Sequence, residues 1–235
     1  MGAAAPAGRK VMRYPPDVSS DAIAAQFIAS VQASERSDPP YRHWKLREVF
    51  PVDLCTGILT LPICPPFLGQ TDGTRNSYND SRCFITPDLR RKFPCCQALS
   101  EALQRADVAR VMAETCDIQV EGGYLRMEYI QDIDGAWLEP HRDIREKLFS
   151  MVIYLFTGPD AAEWGTDIYD ANRCWVGRSP GEFNSGVIFV AGPNTWHGFD
   201  PRPIIGVRRL MEINYVASNW RDRQQLTFPD RPVRL

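Results

Sequence analysis

The chain has 235 residues, 44% hydrophobic and 24% charged, which is enough apolar material for a core with an enclosed pocket and excludes a mostly disordered chain. Lys and Arg total 27 against 29 Asp and Glu, so a net charge of -2 offers no broad positive field and nucleic acid is not expected as a partner. The seven cysteines contain no C-x-x-C pair and include adjacent Cys95-Cys96, and no long apolar stretch follows a basic start; a cytoplasmic protein without disulfides or a membrane anchor is expected.

Residues 1–19, rich in Ala, Pro and Gly without periodicity, predict a loosely docked end with no function of its own. Ile23, Ala24, Phe27, Ile28 and Val31 recur at three- and four-residue spacing and predict an amphipathic helix from Asp21, capped by Ser20 or Asp21. Pro39-Pro40 breaks the chain, and a second short helix is predicted over Val52 to Leu61, stopped by Pro62 and Pro65-Pro66. Gln70 to Ser81 is polar and glycine-containing and predicts a loop that can cover a site. Leu99, Leu103, Val108 and Met112 restore helical spacing over 97–115.

From Ile118 the pattern changes to short β-prone runs: Tyr124 to Ile130, Leu148 to Phe156, Thr166 to Tyr169, Gly186 to Ala191 and Arg208 to Val216. Gly158-Pro159, Ser179-Pro180-Gly181 and Gly192-Pro193-Asn194 separate them, which favours an antiparallel sandwich or barrel packed on helices over a βαβ sheet. The expected class is α+β, mostly β, in one domain over 1–235. Residues 20–117 form a helix-rich support, 118–217 the β core and 218–235 a C-terminal tail.

Of only three histidines, His141 and His197 fall in the strand-rich half, and His43, in Tyr41-Arg42-His43-Trp44, reads as structural. In Pro140-His141-Arg142-Asp143 the imidazole and carboxylate stand two positions apart, so an extended segment turns both to one side and Arg142 away. The pair alone is a weak signal that a surface turn would also produce. Its weight comes from order: the strand Gly186–Ala191, a turn, Trp196-His197-Gly198, then a strand opening with Arg208-Arg209. Two imidazoles and one carboxylate on one face of an iron ion leave three positions open, which suits a bidentate co-substrate followed by dioxygen.

With His141-x-Asp143, Tyr154-Leu155, Trp164-Gly165-Thr166, His197 and Arg208 in that order, and His197 and Arg208 eleven positions apart, residues 118 to 217 resemble the Fe(II)/2-oxoglutarate-dependent dioxygenases of the prolyl-hydroxylase-like branch. The resemblance implies a double-stranded β-helix (jelly-roll, cupin-like) core with supporting N-terminal helices. It implies Fe(II) on His141, Asp143 and His197, with 2-oxoglutarate as co-substrate and dioxygen as oxidant. It also implies that Arg208 holds the far carboxylate of 2-oxoglutarate, a task suited to a planar, permanently charged fork. Arg208 shares its strand face with Leu210, Glu212 and Asn214, whereas Arg209 shares the other with Met211, Ile213 and Tyr215; Arg208 is favoured and Arg209 kept as the alternative. Tyr154 resembles the family tyrosine whose hydroxyl contacts the same carboxylate, and Tyr129, on the strand leading to the His-x-Asp turn, stands where the family often has a second co-substrate contact.

Arg75, Asn76, Tyr78, Asn79 and Arg82 form a polar cluster able to reach a substrate, and Asn214 faces the same side as Arg208. Trp137 and Trp196 flank the ligands, as pocket walls or as core. Asp143 implies hydroxylation over halogenation, because halogenating relatives lack the carboxylate; desaturation, cyclisation and epimerisation stay open. The expected substrate is a small molecule, such as an amino acid derivative or secondary metabolite, rather than a protein. Two alternatives stand beside this reading: a cupin-like metal enzyme without 2-oxoglutarate, disfavoured by the scarcity of histidine, and a non-catalytic β-sandwich binding protein.

Overall fold

A computed structural model describes residues 18–66, 71–74 and 82–235. The N-terminal part carries helix α1 (Ser20–Gln32), strands β1 (Glu35–Ser37) and β2 (His43–Leu46), helix α2 (Val52–Leu59), strand β3 (Cys83–Phe84), and helices α3 (Pro87–Lys92), α4 (Pro94–Leu103) and α5 (Ala106–Cys116). Ser19, not Ser20 or Asp21, caps α1 by accepting a bond from the Ala22 amide, and the helix buries Ile23, Ala24, Phe27 and Val31 as their spacing requires. The continuous pattern over 97–115 is two helices. Arg105 is extended between them, held by Asp107 in the first turn of α5, and Pro94 starts α4 where its missing amide costs nothing.

Eight strands follow: β4 (Tyr124–Asp132), β5 (Leu138–His141), β6 (Ser150–Tyr154), β7 (Asp167–Tyr169), β8 (Trp175–Arg178), β9 (Gly186–Phe189), β10 (Trp196–Phe199) and β11 (Arg208–Val216). They form two antiparallel sheets, one of seven strands in the order β1-β2-β9-β6-β11-β4-β3 and one of four in the order β5-β10-β7-β8. The short strands β5, β8 and β10 have no period-two signature, because Pro140, Gly177 and Gly198 interrupt them and β8 leaves Trp175 and Val176 exposed at the sheet edge.

Strand alternation divides the long sheet into two faces. Leu125, Met127, Tyr129, Met151, Ile153, Met211, Ile213 and Tyr215 pack with the helices in one apolar cluster. Tyr154, Phe156, Val187, Phe189 and Leu210 pack toward the four-stranded sheet in a second, with Phe199, Ile168 and Trp164. The inner face also carries buried charge, Arg126, Glu128, Arg208 and Glu212, where a purely structural sandwich would place apolar side chains.

Asn184, in the left-handed region at φ 61°, ties the segment before α2 to the turn before β9. Its Nδ2 donates to the Phe50 carbonyl at 2.7 Å and its Oδ1 accepts from the Phe50 amide at 3.0 Å, all buried. Asn184→Ala removes both bonds and places a Cβ-bearing residue without Asn's tolerance at positive φ. A loss of about 2–4 kcal/mol in urea unfolding is expected, and a loss near zero would show that this tie does not hold the N-terminal part on the sheet.

Candidate metal centre and cavity

Strands β5 and β10 pair with His141 directly opposite His197, and their ring centroids lie 4.3 Å apart. Asp143 follows β5 instead of lying within it, so the strand orients His141 and the succeeding turn brings the carboxylate round. One ligand atom from each of His141, Asp143 and His197 falls within 4.8 Å of the others. Arg142 points away, donating to the Pro193 carbonyl and stacking over Trp196.

Hydrogen bonding prepares each donor. His141 Nδ1 lies 2.9 Å from the Glu139 carbonyl and His197 Nδ1 3.1 Å from the Thr195 carbonyl. A carbonyl only accepts, so both Nδ1 atoms carry hydrogen and each Nε2 keeps the lone pair that a metal takes. Burial pushes the His197 pKa below its ordinary value, which keeps the ring neutral. Burial alone would raise the Asp143 carboxyl; the Lys147 ammonium beside it outweighs that and holds it well below the usual carboxylate range. Lys147 Nζ donates to Asp143 Oδ1 at 2.7 Å, while Oδ2 accepts from Ser150 Oγ at 2.5 Å and stands 3.8 Å from His197 Nε2. This donor set, two neutral imidazoles and one ionised carboxylate, fits a divalent iron site with open positions.

His141 and His197 open on a cavity between the sheets. A contiguous run of alternating charge lines or backs it. Arg82 chelates Glu128 through Nε and Nη2 at 2.9 and 2.8 Å, and Arg126 reaches Glu128 at 2.8 Å and Glu212 at 3.7 Å. Lys147 then joins Glu212 at 2.5 Å to Asp143. Each charge is compensated by its neighbours, the condition for keeping ionised groups out of water.

Arg208 faces the cavity on the β11 face of Leu210 and Glu212. Its Nε donates to the Trp164 carbonyl at 2.7 Å, its Nη1 pairs with Asp132, and its guanidinium lies over Phe199. Arg209 lies on the opposite face, with Nε 3.3 Å from Gln131 Oε1, and is not placed to hold a ligand in the cavity. Tyr129 borders the cavity but belongs to the helix-side apolar cluster, and burial pushes its hydroxyl up to about 12. Tyr154 is fully buried behind the wall, its hydroxyl donating to Thr166 Oγ1 at 2.6 Å and accepting from Ser179 Oγ at 2.5 Å. Thr166, in turn, lines the cavity. Asn214 is corrected too, because Arg126, Ser150 and the Phe149 carbonyl take up its amide below the cavity floor.

Arg82 and Trp137 line the cavity, the latter with Nε1 3.4 Å from the Thr71 carbonyl and its ring packed on Gly73. Arg75, Asn76, Tyr78 and Asn79 lie outside the described residues. His43 is buried on β2 with Nδ1 at the Tyr41 carbonyl, and Trp196 sits between Arg142 and Arg173. Lys147, Ser150, Glu212, Glu128 and Asp132 escaped sequence reading. Glu212 alone had a signal, its shared face with Arg208; Glu128 and Asp132 depend on partners distant in the chain, and Lys147 and Ser150 on the turn that brings them to Asp143.

The chain matches no protein-family model, and no curated protein matches it in sequence. Solved structures do match in shape. A prolyl 4-hydroxylase from Phytophthora capsici superposes with a TM-score of 0.57 at 12% identity, covering 89% of this chain and 70% of that one. The viral collagen prolyl hydroxylase of Paramecium Bursaria Chlorella virus-1, solved as a 2OG complex, gives 0.52 at 10% identity, with coverage of 74% and 95%. A prolyl hydroxylase from Trichoplax adhaerens, in complex with a hypoxia inducible factor oxygen degradation domain peptide fragment, gives 0.51 at 11%, with coverage of 84% and 90%. The chain therefore has the prolyl-hydroxylase-like fold.

His43 and His197 are both held below their ordinary pKa, chiefly by burial. The unfolded chain takes up protons at these rings near pH 6.5 while the folded chain resists, so stability should fall as pH drops from about 7 to 5. The slope is at most about 1.4 kcal/mol per pH unit for each ring. Urea unfolding of chelator-treated protein across that range checks it, with His197→Gln expected to remove roughly half of the slope; a flat profile would contradict the buried, neutral assignment.

Proposed function

We propose that the protein is an Fe(II)- and 2-oxoglutarate-dependent dioxygenase that hydroxylates an unactivated C–H of a small molecule. The observation that carries this reading is the facing pair His141 and His197 with Asp143, each with its second polar atom already engaged, at the end of a cavity that has Arg208 on its wall. The strands from β4 to β11 fall alternately in the long and short sheets, except for the consecutive β7 and β8, a winding that supports a double-stranded β-helix core. On this reading residues 1–235 are one dioxygenase domain, and His141, Asp143 and His197 hold the iron. The described residues include no helix long and apolar enough to cross a membrane, and all seven cysteines are free, which supports a reducing, cytoplasmic setting.

Bound Fe(II) with 2-oxoglutarate supplies oxidative decarboxylation of the 2-oxo acid and delivers one atom of dioxygen to the substrate C–H. The residues of this chain prepare that chemistry. Lys147 and Ser150 each bind one oxygen of Asp143 and so fix its carboxylate plane, leaving Oδ2 turned to His197. Arg208 offers charge to the far carboxylate, and Thr166, held by Tyr154, offers a hydroxyl on the same wall. Leu210, Phe199 and Leu138 line the cavity with apolar surface, which limits water near the metal. Arg82 and Trp137 are the described residues proposed to meet the substrate.

A small molecule is favoured over a peptide because the cavity lies between the two sheets and its charged side chains are mutually paired. The peptide held by the Trichoplax neighbour keeps a peptide as the competing class.

Anaerobic reconstitution should load about one iron per chain, and His197→Ala should lose it at least about tenfold in affinity. The loaded protein should form succinate from 2-oxoglutarate. Arg208→Met should lower that turnover by on the order of a hundredfold, and Arg209→Met by less than about threefold. Absence of iron binding in the wild type, or loss of turnover only in the Arg209 variant, would sink the assignment.

A further inference from the structure

The proposed co-substrate anchor already carries an anion. Arg208 and Asp132 are register partners on β11 and β4, their side chains pair, and both line the cavity with only 6% and 13% of their surfaces exposed. Nε of Arg208 is taken by the Trp164 carbonyl and Nη1 by Asp132, which leaves Nη2 as the nitrogen that neither engages. The next guanidinium, Arg202, feels the charge of Arg208 but is itself paired with Asp167 and donates to the Asp200 and Glu163 carbonyls. No unpaired positive charge among these groups makes up for what Asp132 removes.

We propose that Asp132 attenuates the anchor: it lowers affinity for a dicarboxylate 2-oxo acid and narrows discrimination against 2-oxo acids whose far end is uncharged. This rests on the 2-oxoglutarate reading above. A carboxylate arriving at Arg208 must share one guanidinium with the carboxylate of Asp132. Two like charges about 5 Å apart in a partly desolvated site disfavour each other by more than a factor of ten at an effective dielectric near 20. An uncharged tail does not meet this repulsion. Asp132→Asn isolates the effect, because the amide oxygen still accepts from Nη1 while Trp164 and Phe199 keep holding the rest of Arg208.

The test is anaerobic titration calorimetry of the full chain loaded with Mn(II), using 2-oxoglutarate and 2-oxopentanoate, which lacks the far carboxylate. The wild type is expected to prefer 2-oxoglutarate by less than about tenfold, and Asp132→Asn to bind it on the order of tenfold more tightly with 2-oxopentanoate unchanged within about twofold. A folded variant that binds 2-oxoglutarate no more tightly than the wild type overturns the proposal. A variant that tightens both acids alike also overturns it, since that marks a structural effect. If the variant does not fold, the wild-type ratio decides, and a preference above about tenfold overturns attenuation. Wild-type protein that binds Mn(II) but neither acid rejects the co-substrate reading itself and attenuation with it, an outcome distinct from binding of both acids without a shift in the variant.

Discussion

The pairing of β5 with β10 sets His141 against His197, and the chemistry of the molecule depends on that one ladder. Both strands are short, and neither would form alone. They persist because β10 also pairs with β7, and because Phe199 and the inner face of the long sheet share one apolar cluster. Each imidazole meets the backbone carbonyl two residues before it, so the local chain fixes the tautomer while the ladder fixes the facing geometry.

Around the ligands the protein keeps ionised groups away from water in a chain of alternating sign, from Arg82 to Asp143. Such a chain is costly to build and weak evidence of stability. Its consequence is specificity of arrangement. Glu212, on the long sheet, and Asp143, beyond β5, are linked by one ammonium, so the carboxylate side of the candidate metal centre is tied to the floor of the cavity. The arrangement differs at the Arg208 end, where a local pair stands apart from that chain and one nitrogen of the guanidinium turns to neither partner. The two ends of the cavity are therefore tuned by separate charge systems.

Legibility in the sequence followed the length and regularity of elements. The strand Arg208–Val216 was visible to the residue, because nine alternating positions keep two faces distinct, and Arg208 and Arg209 separate onto those faces for the same reason. Helix α1 was visible through its apolar stripe. Strands β5, β8 and β10 were not, since four residues with Pro or Gly carry no periodicity and their pairing energy comes from neighbours distant in the chain. The partners of Tyr154 are not legible, because a strand position fixes the side a residue faces, not whether its hydroxyl meets Thr166 and Ser179.

Sequence by itself determined the candidate ligand set, since histidine is so scarce that the order of His141, Asp143 and His197 relative to the strands left few alternatives, and it determined which arginine shares the polar face of β11. Tertiary structure decided that the three donors converge, that Lys147 and Ser150 orient the carboxylate, that Asn214 and Arg209 do not line the cavity, and that Asp132 answers the charge of Arg208. Local spacing sets the direction of a side chain because backbone geometry repeats along an element. Which charge meets which is set by register between strands, and Asp132 and Arg208 are 76 residues apart in the chain.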